Sequence, residues 1–210
     1  MSDRGILVVI SGFSGAGKGT VVNKLMEKYD NYALSVSATT RVPRQGEEEG
    51  VHYFFKSNEE FENMIADDAL IEYACYVNHY YGTPKAYVEK QLNMGKDVIL
   101  EIELQGALKV KDKFPDTLLI FLTPPSAQEL KSRLVNRGTE TDEVIEQRLS
   151  RAYEESFYMD KYDIIIVNDN LEQCVEQIHN TIQCEHAAAF RNKEFIETIN
   201  KDLKQFAKGE

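Results

Sequence analysis

The run from Gly12 to Thr20, GFSGAGKGT, constrains this chain more than any other stretch. An apolar segment of strand length, Ile6 to Ser11, leads into it. Val21, Val22, Leu25 and Met26 follow it at helical spacing. A strand, a glycine-rich turn and a helix opening on Lys-Gly-Thr form a cradle for phosphate. Gly12, Gly15 and Gly17, with Phe13, Ser14 and Ala16 between them, let the backbone close around phosphate oxygens where a Cβ would collide. The turn's N–H groups and the helix N-terminus add partial positive charge. Lys18 adds a full charge on a flexible stem that can follow a moving phosphate. The strict pattern has Ser or Thr directly after the lysine. Gly19 stands there and Thr20 follows, so the hydroxyl that ordinarily meets Mg²⁺ is displaced by one position.

The 210 residues are 42% hydrophobic and 28% charged, enough for one domain with insertions and a sizeable core. No apolar run approaches bilayer length, and the N-terminus lacks the pattern of a cleaved leader. Three cysteines without CxxC spacing read as reduced residues of a cytoplasmic protein. The net charge of −11 argues against a nucleic-acid or membrane partner. It leaves a nucleotide open, because a mononucleotide needs only a local cluster of cations. The oligomeric state stays undetermined, a homo-oligomer included.

Further along, Tyr32–Ser37 reads as a second strand, followed by the polar stretch ATTRVPRQGEEEG from Ala38 to Gly50. Val51–Phe55 reads as a strand. Ser57 with Glu60 makes a capping box for a helix to about Ala66. Leu70–Val77 is a strand, Tyr80–Pro84 a turn, and a helix runs from Pro84 to about Met94. The core pattern then resumes: a strand at Asp97–Glu103 with Gly106 opening the next helix, a strand at Leu118–Leu122, and helices from Ser126 to Asn136 and from Thr141 to Tyr158. A strand at Ile164–Val167 and a helix from Leu171 to about Phe190 complete the core pattern. Residues 191–210 form an amphipathic helical tail.

The expected fold is α/β: a three-layer core around a parallel sheet, residues 1–36, 91–133 and 149–190. A small α+β subdomain, residues 37–90, is inserted after the second strand, and residues 134–148 form a helical lid. Ligands bind beyond the carboxyl ends of such strands, which places the Gly12–Thr20 loop, Glu101, Glu103, Pro124 and Asn168 on one rim.

Several residues carry chemistry suited to a nucleotide. Arg41 and Arg44, in a loop stiffened by Pro43, can clamp a phosphate bidentately, with hydroxyls from Tyr53 and Tyr81. For either tyrosine alone, core filling is the commoner role. Glu72, an acid inside a strand, can accept two parallel donors such as N1–H and N2–H₂ of guanine, and Ser37 can donate to a base oxygen. Taken alone, Glu72 equally suits a solvent-facing strand position. Glu101 and Glu103 end a buried-type strand and suit Mg²⁺, through waters. Arg133, Arg137, Arg148 and Arg151 flank the RGTETD break on facing helices, where they can close over a triphosphate. The four histidines show no metal spacing.

With these residues laid out, the chain resembles bacterial guanylate kinases over about residues 4 to 188. The resemblance rests on GFSGAGKGT, SVSATTRVPRQGE, GVHYF, IEYACYVNHYYGTP, ILEIELQGA, IFLTPPS, RGTETD and IVNDN, in the family's order. It implies transfer of the γ-phosphoryl group of ATP to GMP or dGMP, with Mg²⁺. By motif position it implies that Lys18 and the loop around it hold the ATP phosphates and that Asn168 lies near the adenine. Arg41, Arg44, Tyr53 and Tyr81 then bind the GMP phosphate. Ser37, Glu72 and Thr83 read the guanine, with help from Glu103. Arg133, Arg137 and Arg148 act on the transferring group, and Glu101 meets the metal through water. Gly19 stands where many members have Ser, and Glu101 and Glu103 where many have two aspartates. The second departure bears on which acid meets metal and which meets base.

Three rival functions are less consistent with these residues. A kinase for another nucleoside monophosphate shares this style of loop, but an adenine ring presents a lone pair where Glu72 needs donors. A guanylate-kinase-like peptide-binding scaffold typically loses phosphate-loop residues, which are intact here. A P-loop GTPase requires an Asn-Lys-x-Asp run, which the sequence lacks.

Overall fold

The computed structural model describes residues 4–76, 78–136 and 141–207. Five strands form a wholly parallel sheet: β1 (Leu7–Gly12), β2 (Tyr32–Leu34), β7 (Asp97–Glu101), β8 (Leu118–Thr123) and β9 (Ile164–Val167), in the order β2-β7-β1-β8-β9. The register pairs Val9 with Leu100 and Leu119, and Leu122 with Ile166. Near-continuous apolar runs suit these strands because both faces are covered.

Alternate residues serve opposite layers. Val8, Ile10, Ile99, Ile120 and Leu122 meet α1 (Lys18–Lys28) and α7 (Leu171–His186) through Val22, Leu25, Val175 and Ile178. Val9, Leu100, Leu119 and Phe121 meet α3 (Lys85–Asn93), α4 (Leu104–Lys113), α5 (Ala127–Asn136) and α6 (Asp142–Ser156) through Val88, Val110, Leu134 and Ile145.

The segment after β2 builds a second sheet, β4-β3-β6-β5, from β3 (Ala38–Thr39), β4 (Phe54–Phe55), β5 (Leu70–Tyr76) and β6 (His79–Pro84). Its small core holds Ala38, Leu70 and Phe61 of α2 (Asn58–Ala66), with the Phe61 ring stacked on Tyr80 at 5.2 Å. The capping box is present: Ser57 Oγ accepts from Glu60 N–H, and Glu60 accepts from Ser57 N–H. Asp68, just after α2, bridges Lys85 on α3 and Lys113 on α4, tying the small sheet to the core. Those ammonium groups, Lys113 foremost, hold its carboxyl down to about 2.

Four sequence expectations change. Tyr80–Pro84 is not a turn but most of β6, antiparallel to β5. The chain reverses earlier, where Asn78 adopts the left-handed conformation (φ 63°). Only Phe54–Phe55 of the expected 51–55 strand pairs in a ladder. Val51 and His52 instead donate their N–H groups to Glu48 C=O in a turn. The strand from Asp97 stops at Glu101, because Glu103 becomes the N-cap of α4, which places Gly106 inside that helix rather than at its opening. The last core helix ends at His186, and a short 3₁₀ turn, Ala189–Arg191, precedes α8 (Lys193–Ala207). Val77 lies outside the described residues.

At Gly12 the chain passes so close to β8 that a Cβ would lie 2.1 Å from the Leu122 carbonyl oxygen. Backbone cannot yield there as a side chain can. Gly12→Ala is expected to cost about 3 kcal/mol or more. A thermal melt that matches the parent would contradict this reading.

Candidate active site

The phosphate loop joins the end of β1 to α1. Gly17 caps α1 in the left-handed conformation (φ 92°), and its carbonyl accepts from Val21 N–H at 3.0 Å. A Cβ on Gly17 would come 2.7 Å from Asn168 Nδ2, so glycine answers both the dihedral and the space. Ala16 N–H donates to Phe13 C=O at 3.0 Å, closing the turn. The Phe13 ring is buried edge-on against Phe121, anchoring the loop to β8. Lys18 Nζ reaches across the loop and donates to Gly12 C=O at 2.7 Å and to Phe13 C=O at 3.3 Å. The ammonium therefore rests on the carbonyls at the start of the loop.

Two residues brace the loop from outside. Asn168, buried after β9, donates from Nδ2 to Ala16 C=O at 2.8 Å. Arg133 donates from Nη2 to Asn168 C=O at 2.9 Å, from Nη1 to Ala16 C=O at 3.4 Å, and from Nε to Glu129 at 2.7 Å. The structure thus places Asn168 and Arg133 on the loop's backbone. Arg148 on α6 donates to Ser14 Oγ, bringing the helix after the RGTETD break onto the loop's tip. Arg137 lies outside the described residues.

Glu101 ends β7 beside the loop. A Cβ at Gly19 would be 3.8 Å from each of its carboxylate oxygens. Its side chain reaches solvent, but the surrounding protein displaces enough water to raise its pKa, and the Lys18 charge pulls the other way. Thr20, on the first turn of α1, is exposed. Glu103 points elsewhere: exposed at the start of α4, it pairs with Arg151 at 2.5 Å, and Arg151 also holds Glu155.

The second sheet gathers a further set of polar side chains. Glu72 on β5 accepts from the buried Thr83 hydroxyl on β6 at 2.8 Å. Its other oxygen lies 3.6 Å from where a Gly106 Cβ would be. Burial pushes the Glu72 carboxyl up, while Thr83 and the Lys109 charge pull it down. Ser37, half-buried, precedes β3, and its carbonyl accepts from Phe54 N–H at 2.9 Å.

Arg41 lies 5.3 Å over the Tyr53 ring, and Tyr53 packs against Tyr81 at 6.1 Å. These three were expected together and are together; Arg44 follows with an exposed side chain.

Sequence reasoning missed Glu47. Its Oε1 pairs with Arg41 Nη2 at 2.8 Å, and its Oε2 accepts from Arg44 N–H at 2.8 Å. Arg41, and then the Arg44 amide, hold its pKa below the usual range. A carboxylate so held has the charge and two-oxygen geometry of an anion gripped by that loop. Within the run of three glutamates at 47–49, nothing in the sequence singled it out.

Among the described residues, no group of three or more His, Cys, Asp or Glu is arranged to hold a metal, and no helix is long and apolar enough to cross a membrane. A cavity of about 570 Å³ lies at the opposite, amino-terminal end of the strands, against the start of β1 and of α8. The polar groups above converge elsewhere, so chemistry rather than enclosed volume marks the site.

The chain is similar to known proteins over most of its length. The family model described as "Guanylate kinase" matches residues 4–185. The chain is 51% identical over 199 residues to the guanylate kinase of Caldanaerobacter subterraneus subsp. tengcongensis, covering 95% of this chain and 97% of that one. It is 54% identical over 187 residues to the guanylate kinase of Bacillus subtilis, covering 89% and 92%. The crystal structure of guanylate kinase from Anaplasma phagocytophilum superposes with a TM-score of 0.68 at 33% identity, over 90% of this chain and 89% of that one. A family model spanning most of the chain, with relatives about half identical over nearly its whole length, means that this chain belongs to the guanylate kinase family.

Proposed function

We propose that the phosphate loop and the small sheet are the two halves of one phosphoryl-transfer site, with donor phosphates on Lys18 and acceptor base on Glu72. The enzyme is an ATP:GMP phosphotransferase that forms ADP and GDP. The observation that carries the division of labour is Glu72, a partly buried carboxylate with a raised pKa, held on one oxygen by Thr83. Guanine supplies N1–H and N2–H₂ side by side, the donors such a group needs to justify its burial.

No general base is required. A nucleotide 5′-phosphate is largely dianionic at neutral pH, its second pKa being about 6. The protein's tasks are alignment and charge neutralisation. Lys18 and the amides of residues 12–20 hold the donor phosphates. Arg41 and Arg44 take the GMP phosphate, with Tyr53 and Tyr81 beside it, and the phosphate displaces Glu47 from the guanidinium. Ser37 and Thr83 complete the guanine pocket. Arg148 acts at the transferring group from α6, and Arg137 joins it from the lid formed by residues 134–148. Arg133 acts chiefly by holding the loop through Ala16 and Asn168, and Asn168 backs the adenine side of that loop. Closure of the lid excludes water and suppresses ATP hydrolysis.

Mg²⁺ fits this rim. Glu101, whose pKa is raised beside the loop, gains from a cation, and Thr20 offers the only hydroxyl directly after Gly19. The ion neutralises and orients the donor phosphates when bound. Glu103, committed to Arg151, assists the guanine side only after that pair opens. The reaction belongs in the cytoplasm, where nucleotides turn over.

Arg44→Ala removes one charge-assisted grip on the acceptor phosphate and none on ATP. It should raise KM for GMP roughly 10- to 100-fold and leave KM for ATP unchanged. Equal rises for both substrates in initial-rate kinetics would remove Arg44 from the GMP phosphate.

A further inference from the structure

Glu72 can read guanine only when it is charged. Ionised, its carboxyl accepts from both N1–H and N2–H₂. Protonated, it offers one donor and one acceptor, the pattern that matches the N1 lone pair and N6–H₂ of adenine instead. Burial favours the protonated form, and the Thr83 hydroxyl is the one hydrogen bond that the described residues give this carboxylate. The charged form therefore gains from a cation nearby.

Helix α4 packs against β5. Gly106, Lys109 and Lys113 follow the three–four spacing of a single helix face. Both ends of that stripe touch β5. At one, a Gly106 Cβ would lie 3.6 Å from Glu72 Oε2. At the other, Lys113 Nζ donates to Leu70 C=O at 3.2 Å and pairs with Asp68. Lys109 stands between them, and with Glu72, Lys113 and Asp68 it lines a cavity of about 320 Å³. Four helix residues rise about 6 Å and two strand residues span about 7 Å. The step from Lys113 back to Lys109 thus matches the step from Leu70 on to Glu72.

The other charges around Glu72 are committed. Lys113, with Lys85 of α3, holds Asp68. Glu103, one turn before Gly106, holds Arg151. Lys111, the remaining lysine of α4, holds Asp163 and the Thr117 carbonyl. Lys109 makes no hydrogen bond or close ion pair of its own among the described residues, and its charge acts on Glu72.

We propose that Lys109 is a positioning residue for the acceptor base: from α4, its ammonium keeps Glu72 in the charged form that guanine requires. The proposal rests on the reading of Glu72 as the guanine-binding acid. Without Lys109, burial is opposed by Thr83 alone, so the carboxyl holds its proton to higher pH.

The test is kcat/KM for GMP as a function of pH in Lys109→Met, Lys109→Glu and Lys109→Arg, with a thermal melt of each. The acid limb should move to higher pH in Lys109→Met, move further in Lys109→Glu, and stay in place in Lys109→Arg, which keeps the charge. On that limb Lys109→Met should lose about two- to fivefold, the scale of an exposed charge pair. It should converge on the parent where Glu72 is fully ionised. KM for ATP should not change, and the melting temperature should move little, because Lys109 is exposed. The phosphate of GMP titrates alike for every variant, so only the differences between variants are read. In a Glu72→Gln background the same substitutions should change nothing, as a coupling between these two residues requires. A limb indifferent to Lys109→Glu overturns the proposal. So does a loss in Lys109→Met that persists in the Glu72→Gln background, or one that Lys109→Arg shares in full. Unaltered GMP turnover in Glu72→Gln itself would instead remove the guanine reading, and the role of Lys109 with it.

Discussion

Lys18→Ala is expected to lower kcat at least roughly 10³-fold, the scale seen when a preorganised positive group is removed from a developing charge. The ammonium is anchored on the Gly12 and Phe13 carbonyls, and its charge is felt by the Glu101 carboxyl on β7. In the proposed reaction it follows the transferring phosphoryl group. Removing it leaves two carbonyls to be satisfied by water at an open rim, so the melting temperature should move little. That separates lost chemistry from lost fold. Lys18→Arg should not rescue, because a planar fork cannot occupy the place of a compact point charge among those carbonyls. Single-turnover rates with saturating ATP and GMP, beside a thermal melt, decide the matter. A variant that keeps normal turnover removes Lys18 from the reaction.

Glu72→Gln is expected to cost 10³- to 10⁴-fold in kcat/KM for GMP, the range found when a site built on specific hydrogen bonds loses its match. Glutamine keeps the acceptor that Thr83 uses, but turns an acceptor of guanine's donors into a donor. The same substitution should leave the unliganded enzyme as stable or more so. Burial raises the folded pKa of Glu72, so its ionisation opposes folding. That opposition is absent below the ordinary glutamate range and grows as pH rises through the folded pKa. The amide of the variant never ionises and so escapes it. In the parent, kcat/KM for GMP should fall on the acid side with a midpoint above the usual glutamate value, and that limb should vanish in the variant. An unchanged acid limb would assign it to another group.

Much of this architecture was readable because it obeys local rules. The strands of the parallel sheet are short apolar runs between turn signals, and the Gly12–Thr20 loop declares its chemistry by spacing alone. The misreading at residues 80–84 came from taking Gly82 and Pro84 as turn punctuation. Gly82 is there for room: a Cβ would lie 2.9 Å from the Glu72 carbonyl oxygen and 3.0 Å from Tyr73 Cβ, so the glycine lets β5 and β6 close. Pro84 stands at the strand's last residue, where no further N–H is needed.

The site was legible in residue types but not in pairings. Arg41, Tyr53 and Tyr81 meet as expected, yet Glu47 between Arg41 and Arg44 depends on how a polar loop folds back, which no periodicity encodes. Arg133 shows the same limit. Its helix position points it toward the loop, but only tertiary structure shows its guanidinium spent on the Ala16 and Asn168 carbonyls.

The central claim is that a guanine-reading carboxylate and a phosphate loop act on one substrate pair. ADP release with ATP and Mg²⁺, measured in parallel for GMP, dGMP, AMP, CMP and UMP, tests it most directly. The account predicts turnover with GMP and dGMP alone. Comparable turnover with AMP would keep the fold and contradict the role given to Glu72.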